Sequence, residues 1–234
     1  SMKAKEFITE LAKFKSKSEL DNVQRFFRYE GKESKFIGVK MSKLFALAKK
    51  FIQMPLKEIE KLLMSEYYEA RMGAVSIMDF KARNKKITPE EKKELFDLYI
   101  SKHNYVDNWD MVDRSAPYVV GGYLYDKPRK ILYKLAKSKN VWERRTVIVA
   151  TYYFIRLGEV DDTFKIAEIL VEDKHDLIQK AVGSWIREAG KKDKVQLIEF
   201  LNAHVLSMPS VMLRYATERL DKKVRADFLM KGKK

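Results

Sequence analysis

The residues best suited to chemistry lie in one stretch, NWDMVDRSAPYVVGG, from Asn108 to Gly122. Trp109 stands four residues ahead of Asp113, and in a helix that spacing puts an indole and a carboxylate on one face. Val106, Val112, Ala116 and Val119 supply apolar neighbours, so Asp113 is expected at the margin of a buried stripe. A carboxylate there loses hydration and needs a partner or a job. Pro117 has no N–H for the carbonyl four residues back, which belongs to Asp113. The helix should therefore kink or end close to the acid, with Gly121-Gly122 closing the segment. The competing reading is a helix C-terminus with a satisfied core aspartate.

Other chemistries find less support. His103, His175 and His204 lie far apart with no ligand spacing around them, so no metal is expected. The chain has no cysteine, which rules out disulfides, thiolate-bound zinc, iron–sulfur clusters and a thiol nucleophile. No phosphate-cradling glycine loop, dinucleotide fingerprint or nucleophile elbow occurs, so no cofactor is expected. Trp142 opens the segment WERRTVIVATYYFIR and reads as core or a helix staple. Trp185, in KAVGSWIREAGKKD, falls beside Lys180 and Arg187, although a lone tryptophan at helical spacing is more often core.

Charge is the strongest compositional signal. Lys plus Arg number 48 against 33 for Asp plus Glu, a formal net charge of +15. That balance points to a polyanion partner, nucleic acid before anionic membrane. The excess is spread along the chain, with only a short basic tail at 231–234, which suits a surface that gathers its cations by folding. No long apolar run or signal peptide is present, so the expectation is a soluble intracellular protein, a monomer by default. Ser1 ahead of Met2 reads as a scar of added sequence. With 46% hydrophobic residues, 234 residues suffice for a sizeable core.

The elements that must position these residues read as helices throughout, because apolar residues recur at steps of three and four. Thr88-Pro89-Glu90-Glu91 is a start signal, with a capping hydroxyl, a first-turn proline and a capping-box glutamate. Later helices are expected at about 128–138, 142–157, 161–171, 175–190, 192–206, 209–219 and 221–230. A faint repeat underlies them. YYEARMGAV, VWERRTVIV, DLIQKAVGS and SVMLRYATE are each helix openings with a cation before small or branched apolar residues. Arg71, Arg145, Lys180 and Arg214 stand 74, 35 and 34 residues apart, in the range of two-helix solenoid repeats. The expectation is one all-α domain over 1–234, an α-solenoid superhelix with one cation per repeat lining a concave basic groove. The alternative is that these cations pair with carboxylates inside their own repeats.

At these residues the chain resembles a known family. NWDMVDRSAPYVVGG, WERRT, LIQKAVG with IREAGK, and YYEARMGAV are together similar to the AlkD-like DNA alkylation repair proteins, over roughly residues 20 to 220. The resemblance implies HEAT-like repeats that bind duplex DNA in a concave cationic groove and excise N3- and N7-alkylated purines. It implies a monofunctional DNA glycosylase of base excision repair, in the cytoplasm of a bacterium and at the nucleoid when bound.

The family's catalytic aspartate corresponds to Asp113 and its first lesion-flanking tryptophan to Trp109. Its groove arginine falls in WERRT, at Arg145 with Arg144 beside it. Arg71, Lys180 and Arg214 are further candidate DNA contacts. The family's second tryptophan meets Ser184 here, with Trp185 one residue later and about 100° around a helix. For the family's N-terminal tyrosine the chain offers Phe26, Phe27 and Tyr29. In the implied mechanism Asp113 stabilises an oxocarbenium-like sugar and orients water, while Trp109 packs on the deoxyribose. The open groove contacts the backbone, and the lesion can remain stacked. The departure at Ser184 motivates an alternative, a non-catalytic binder of damaged or branched DNA. A protein-interaction scaffold is a third reading, since helical solenoids often serve that purpose.

Overall fold

The computed structural model describes residues 2–26 and 34–233. Among them the chain is helical, no strand forms, and Lys35 and Tyr67 meet in an isolated β-bridge. Phe27 and Tyr29 lie outside the described residues, as does the side chain of Phe26. The chain forms two compact units, Ser1–Tyr123 and Leu124–Lys234.

The first unit holds α1 (Ala4–Ala12), α2 (Lys17–Phe26), α3 (Met41–Lys50), α4 (Leu56–Leu63), α5 (Tyr68–Arg83), α6 (Pro89–Ser101) and α7 (Trp109–Ser115). Its centre is α5, which packs against α3, α4 and α7 and is buried from Tyr68 to Asp79. A helix enclosed on every side must satisfy its polar groups internally. Glu69 does so by accepting the N–H groups of Ile37 (2.9 Å) and Gly38 (2.8 Å). At the start of α6 the Thr88 hydroxyl accepts the Glu91 N–H at 3.2 Å, with Pro89 in the first turn, as the sequence pattern dictates.

Pro117 neither ends the helix nor lets Gly121-Gly122 close it. The helix widens after α7 into a π-helical turn, Ala116–Gly121, and resumes as the short α8 (Gly122–Leu124). Proline leaves the Asp113 carbonyl without its usual donor, and one wider turn absorbs the change in register.

In the second unit follow α9 (Lys130–Leu135), α10 (Val141–Arg156), α11 (Asp161–Leu170), α12 (Asp176–Lys192), α13 (Lys194–His204), α14 (Ser210–Thr217) and α15 (Lys222–Lys231). Their spans agree with the apolar spacing to within a few residues at most ends. Helices α10, α12 and α14 pack side by side, with α11 and α13 each against α12. Gly183, the glycine of LIQKAVG, lets α12 and α14 touch. A Cβ there would stand 2.7 Å from the Met212 carbonyl oxygen and 2.8 Å from the Tyr215 Cβ.

A hydrogen-bonding unit recurs where three of these helices begin. Ser65, Ser138 and Asp173 each accept, through the side chain, the N–H two residues on, at Tyr67, Asn140 and His175 (3.0–3.1 Å). The carbonyl of each then receives a side chain six residues on. Arg71 reaches Ser65 (3.0 Å), Arg144 reaches Ser138 (3.1 Å) and Gln179 reaches Asp173 (2.9 Å). The arginines reach forward as well, Arg71 to Asp107 at 3.1 Å and Arg144 to Asp173 at 2.8 Å. This is the helical repeat expected from the sequence, with its register corrected by one residue. Arg71 is equivalent to Arg144 and Gln179, whereas the sequence spacing paired it with Arg145 and Lys180.

Candidate functional site

Helix α7 is pinned from beneath. Met111, Val112 and Ser115 are buried, and the Ser115 hydroxyl bonds the Tyr99 hydroxyl (3.0 Å) and the Met111 carbonyl (2.7 Å). Its other face carries Trp109 and Asp113, which line one cleft, as their four-residue spacing requires.

The cleft has a volume of about 450 Å³ and lies within the first unit. Glu19, Asn22 and Val23 of α2 form one side, Val39 with Met41 and Phe45 of α3 another, and Tyr68 and Met72 of α5 the floor. Helix α7 closes it with Trp109, Asp110, Asp113 and Arg114.

Val106, Val112, Ala116 and Val119 are buried as expected, but Asp113 itself is exposed. The desolvated carboxylate of the segment is Asp110. The Tyr68 hydroxyl donates to Asp110, as do the Asn108 side-chain amide (2.9 Å) and the Met111 N–H (2.8 Å). Burial nevertheless pushes the Asp110 carboxyl above the ordinary carboxylate range, and the charge of Asp113 adds to the shift. The Tyr68 phenol is raised in turn, by burial and then by Asp110. A pair of carboxylates, one half-buried and one exposed, thus shares the cleft with an indole.

Among the described residues of the lining Arg114 is the one cation, and it is held by its neighbours. Its guanidinium lies 4.2 Å from the Phe45 ring centroid and 4.9 Å from that of Phe80, with Nε 3.8 Å from Asp79. Asp79, wholly buried, takes its short bonds from Arg83 at 2.9 Å.

The expected groove cations fare differently. Arg71 is 4% exposed and spent on Ser65, Ser34 and Asp107, a structural tie where a surface cation was expected. Arg144 serves the same purpose with Asp173. Arg145 is 9% exposed and its Nη1 donates to the Leu177 carbonyl at 2.7 Å. Arg71 and Arg144 do pair with carboxylates, but with Asp107 and Asp173 in the repeat that follows, 36 and 29 residues on, and not inside their own repeats as the alternative expected. Lys180 is half-buried and Arg214 exposed. Trp185 is half-buried with its ring 5.3 Å from that of Tyr152, and Trp142 is buried beside His175. Arg145, Lys180, Trp185 and Arg214 all belong to the second unit. No group of three or more metal-ligating side chains occurs among the described residues.

Sequence reasoning passed over Asp110, Tyr68 and the wall formed by α2 and α3. One signal was available, since Asp110 and Asp113 are themselves three residues apart and share a helix face. The contribution of Tyr68 depends on α5 packing against α7, which no local pattern announces.

The fold and site together define a protein of helical hairpin repeats that carries an indole and paired carboxylates in a cleft. The family model of the DNA alkylation repair enzymes matches residues 7–220, and the chain belongs to that family. Its membership gives it a role in the repair of alkylated DNA, with DNA as its partner. Among solved structures it is similar to a predicted DNA alkylation repair enzyme from Enterococcus faecalis, at a TM-score of 0.71 and 18% identity. The match covers 89% of this chain and 97% of that one, and at this identity it speaks for the fold. No curated protein matches. Among the described residues no helix is long and apolar enough to cross a membrane.

Proposed function

We propose that the protein is a monofunctional DNA glycosylase that hydrolyses the N-glycosidic bond of cationic N3- and N7-alkylated purines in duplex DNA. The observation that carries this reading is the placement of Trp109 and Asp113 on one face of α7, lining one cleft. An alkylated purine with a ring positive charge leaves without acid help. As its bond to C1′ breaks, the electron pair goes to the base and positive charge builds on the sugar. A carboxylate beside that carbon stabilises the charge and orients water for attack, as in glycoside hydrolysis. Asp113, exposed and beside the indole, can reach a sugar presented at the cleft mouth. The π-face of Trp109 excludes water and favours the developing cation. Asp110 and Tyr68 hold the start of α7 in place. Lys180 and Arg214 contact phosphates, and the chain acts as a monomer of the bacterial cytoplasm.

Release of 7-methylguanine from a duplex oligonucleotide, by wild type and Asp113→Asn in parallel, tests this. Asp113→Asn keeps the shape and removes the charge, so it is expected to bind duplex DNA normally and to lose release by about 10²-fold or more, the usual cost of one transition-state contact. Equal release by both proteins sinks the role given to Asp113. No release by either, with DNA binding intact, favours the non-catalytic binder suggested by Ser184.

A further inference from the structure

A guanidinium drawn out of water needs acceptors for its N–H groups, and protein oxygens usually supply them. Seven arginines are buried or half-buried among the described residues, and six of them donate to oxygens of the protein. Arg114 is the seventh, and among the described residues it donates to none. Its Nε is enclosed, and the Asp79 carboxylate stands 3.8 Å from it, beyond hydrogen-bond reach. Asp79 is already met by Arg83, which bonds both of its oxygens at 2.9 Å. What fixes Arg114 is aromatic. Its guanidinium lies 4.2 Å from the Phe45 ring centroid of α3 and 4.9 Å from that of Phe80 on α5. Rings on two helices orient the guanidinium plane and leave its donors unused. The side chain is 25% exposed and lines the cleft beside Asp113, its predecessor on α7. An oriented fork with open donors at the wall of a cleft suits an anion that offers two oxygens.

We infer that Arg114 anchors a DNA phosphate, the one adjoining the nucleotide whose sugar faces Asp113. The family gives the chain DNA as its partner, and a phosphodiester carries the paired oxygens that such a fork holds. Consecutive helix residues point about 100° apart. A strand lying along the cleft can therefore set its sugar at Asp113 and the neighbouring phosphate at Arg114. That contact fixes the strand along its length and holds C1′ in register with the carboxylate. Arg114 touches neither the base nor C1′, so it binds and positions, and the chemistry stays with Asp113. The inference rests on the glycosylase reading for which phosphate is held, and on family membership alone for a phosphate being held. Lysine is a poor substitute, because an ammonium neither stacks between two rings nor offers a planar pair of donors.

The test neutralises one phosphate at a time. A methylphosphonate linkage, which is uncharged, is placed singly at each position around a 7-methylguanine on a 2′-fluoro sugar, which slows loss of the base. Wild type is expected to bind at least about tenfold more weakly when one linkage flanking the lesion is neutral, because a charge-assisted contact is lost. Arg114→Met keeps a polarisable chain between the two rings, and Arg114→Lys keeps the charge without the fork. In Arg114→Met the penalty at that linkage should vanish while penalties elsewhere persist, a cancellation that mere loosening of α7 does not produce. A profile in Arg114→Met identical to that of wild type overturns the assignment. If Arg114→Met fails to fold by circular dichroism, Arg114→Lys decides: a smaller penalty at that linkage supports the fork, and the full wild-type penalty overturns it. If wild type shows no profile centred on the lesion, the slope of log affinity against log salt on undamaged duplex decides. A fall of about 0.9 in Arg114→Met supports the anchor, and an unchanged slope overturns it. Release of 7-methylguanine from the ordinary deoxyribose duplex, assayed alongside, separates the two readings. Release without an Arg114-dependent linkage keeps the glycosylase and removes the anchor. An Arg114-dependent linkage without release keeps the anchor and removes the glycosylase.

Discussion

Tyr68, the first residue of α5, donates its hydroxyl hydrogen to Asp110 in the first turn of α7. The bond crosses between two helices and secures the end of α7 that carries Trp109. Tyr68→Phe removes the donor and leaves a half-buried carboxylate with two of its three partners, Asn108 and Met111. The expected cost is about 1–3 kcal/mol, the penalty for an unsatisfied buried polar group. Urea denaturation of the two proteins reads it directly as a lower midpoint. An unchanged midpoint would mean that the tie contributes nothing net.

Because burial raises the Asp110 carboxyl, its contribution to stability depends on pH in a defined direction. The folded state holds this proton more tightly than the unfolded state, where the carboxyl titrates near 3.8. Any stabilisation from that proton is present below the unfolded value and is lost as pH rises through the raised folded value. Asp110→Asn carries no charge to bury. The stability of wild type relative to Asp110→Asn should therefore fall as pH rises from about 4 toward neutrality. Asp79, also raised by burial, is common to both proteins and cancels in the difference. Unfolding curves for the pair across that window check the sign, and a difference that is flat or rises with pH excludes it.

What could be read from the sequence follows a physical boundary. Helix positions were legible because their signals are local: Thr88 with Glu91 for a start, and the three-and-four spacing for the span. The joint placement of Trp109 and Asp113 was legible for the same reason, being fixed by four residues of helix. Burial was not. Asp113 and Asp110 both flank apolar neighbours in the sequence, and only the packing of α5 decides that Asp110 lies under Tyr68 while Asp113 is exposed. The repeat register failed by one residue at Arg145 for a related reason. Arg144 and Arg145 are equivalent by type, and what separates them is which one reaches Ser138 and Asp173. Pro117 shows a third case, in which the lost hydrogen bond was foreseen but the fold absorbed it in a π-helical turn.

The repeated tie makes a graded prediction. Arg71 is buried and bonds the half-buried Asp107 and two further oxygens, so Arg71→Ala removes three hydrogen bonds and leaves a cavity, and should cost about 3–5 kcal/mol. Arg144 makes the equivalent contacts from a more exposed position, and Arg144→Ala is expected at about 1.5–3 kcal/mol. Gln179 keeps only the turn carbonyl, which puts Gln179→Ala near about 1 kcal/mol. Denaturant unfolding of the three variants should return that order. Six residues beyond Asp107 stands Asp113, at the same step along the chain, and a carboxylate cannot donate to a turn carbonyl.

The division between inward and outward cations carries over to DNA binding. Each phosphate neutralised by a side chain adds about 0.9 to the slope of log affinity against log salt. Lys180 and Arg214, proposed to contact phosphates, should each lower that slope by about 0.9 when changed to glutamine, without loss of fold. Arg71 and Arg144 are committed to Asp107 and Asp173, so their charge is already met inside the protein. A glutamine at either position can still donate to the turn carbonyl, as Gln179 does. Arg71→Gln and Arg144→Gln should consequently weaken the fold while leaving the salt slope of the folded fraction unchanged. Binding to an undamaged duplex, titrated at several salt concentrations, distinguishes the two pairs. A slope that falls for Arg144→Gln as much as for Lys180→Gln would mean that the Arg144–Asp173 pair opens when DNA arrives, and that the repeat tie yields its arginine to the phosphates.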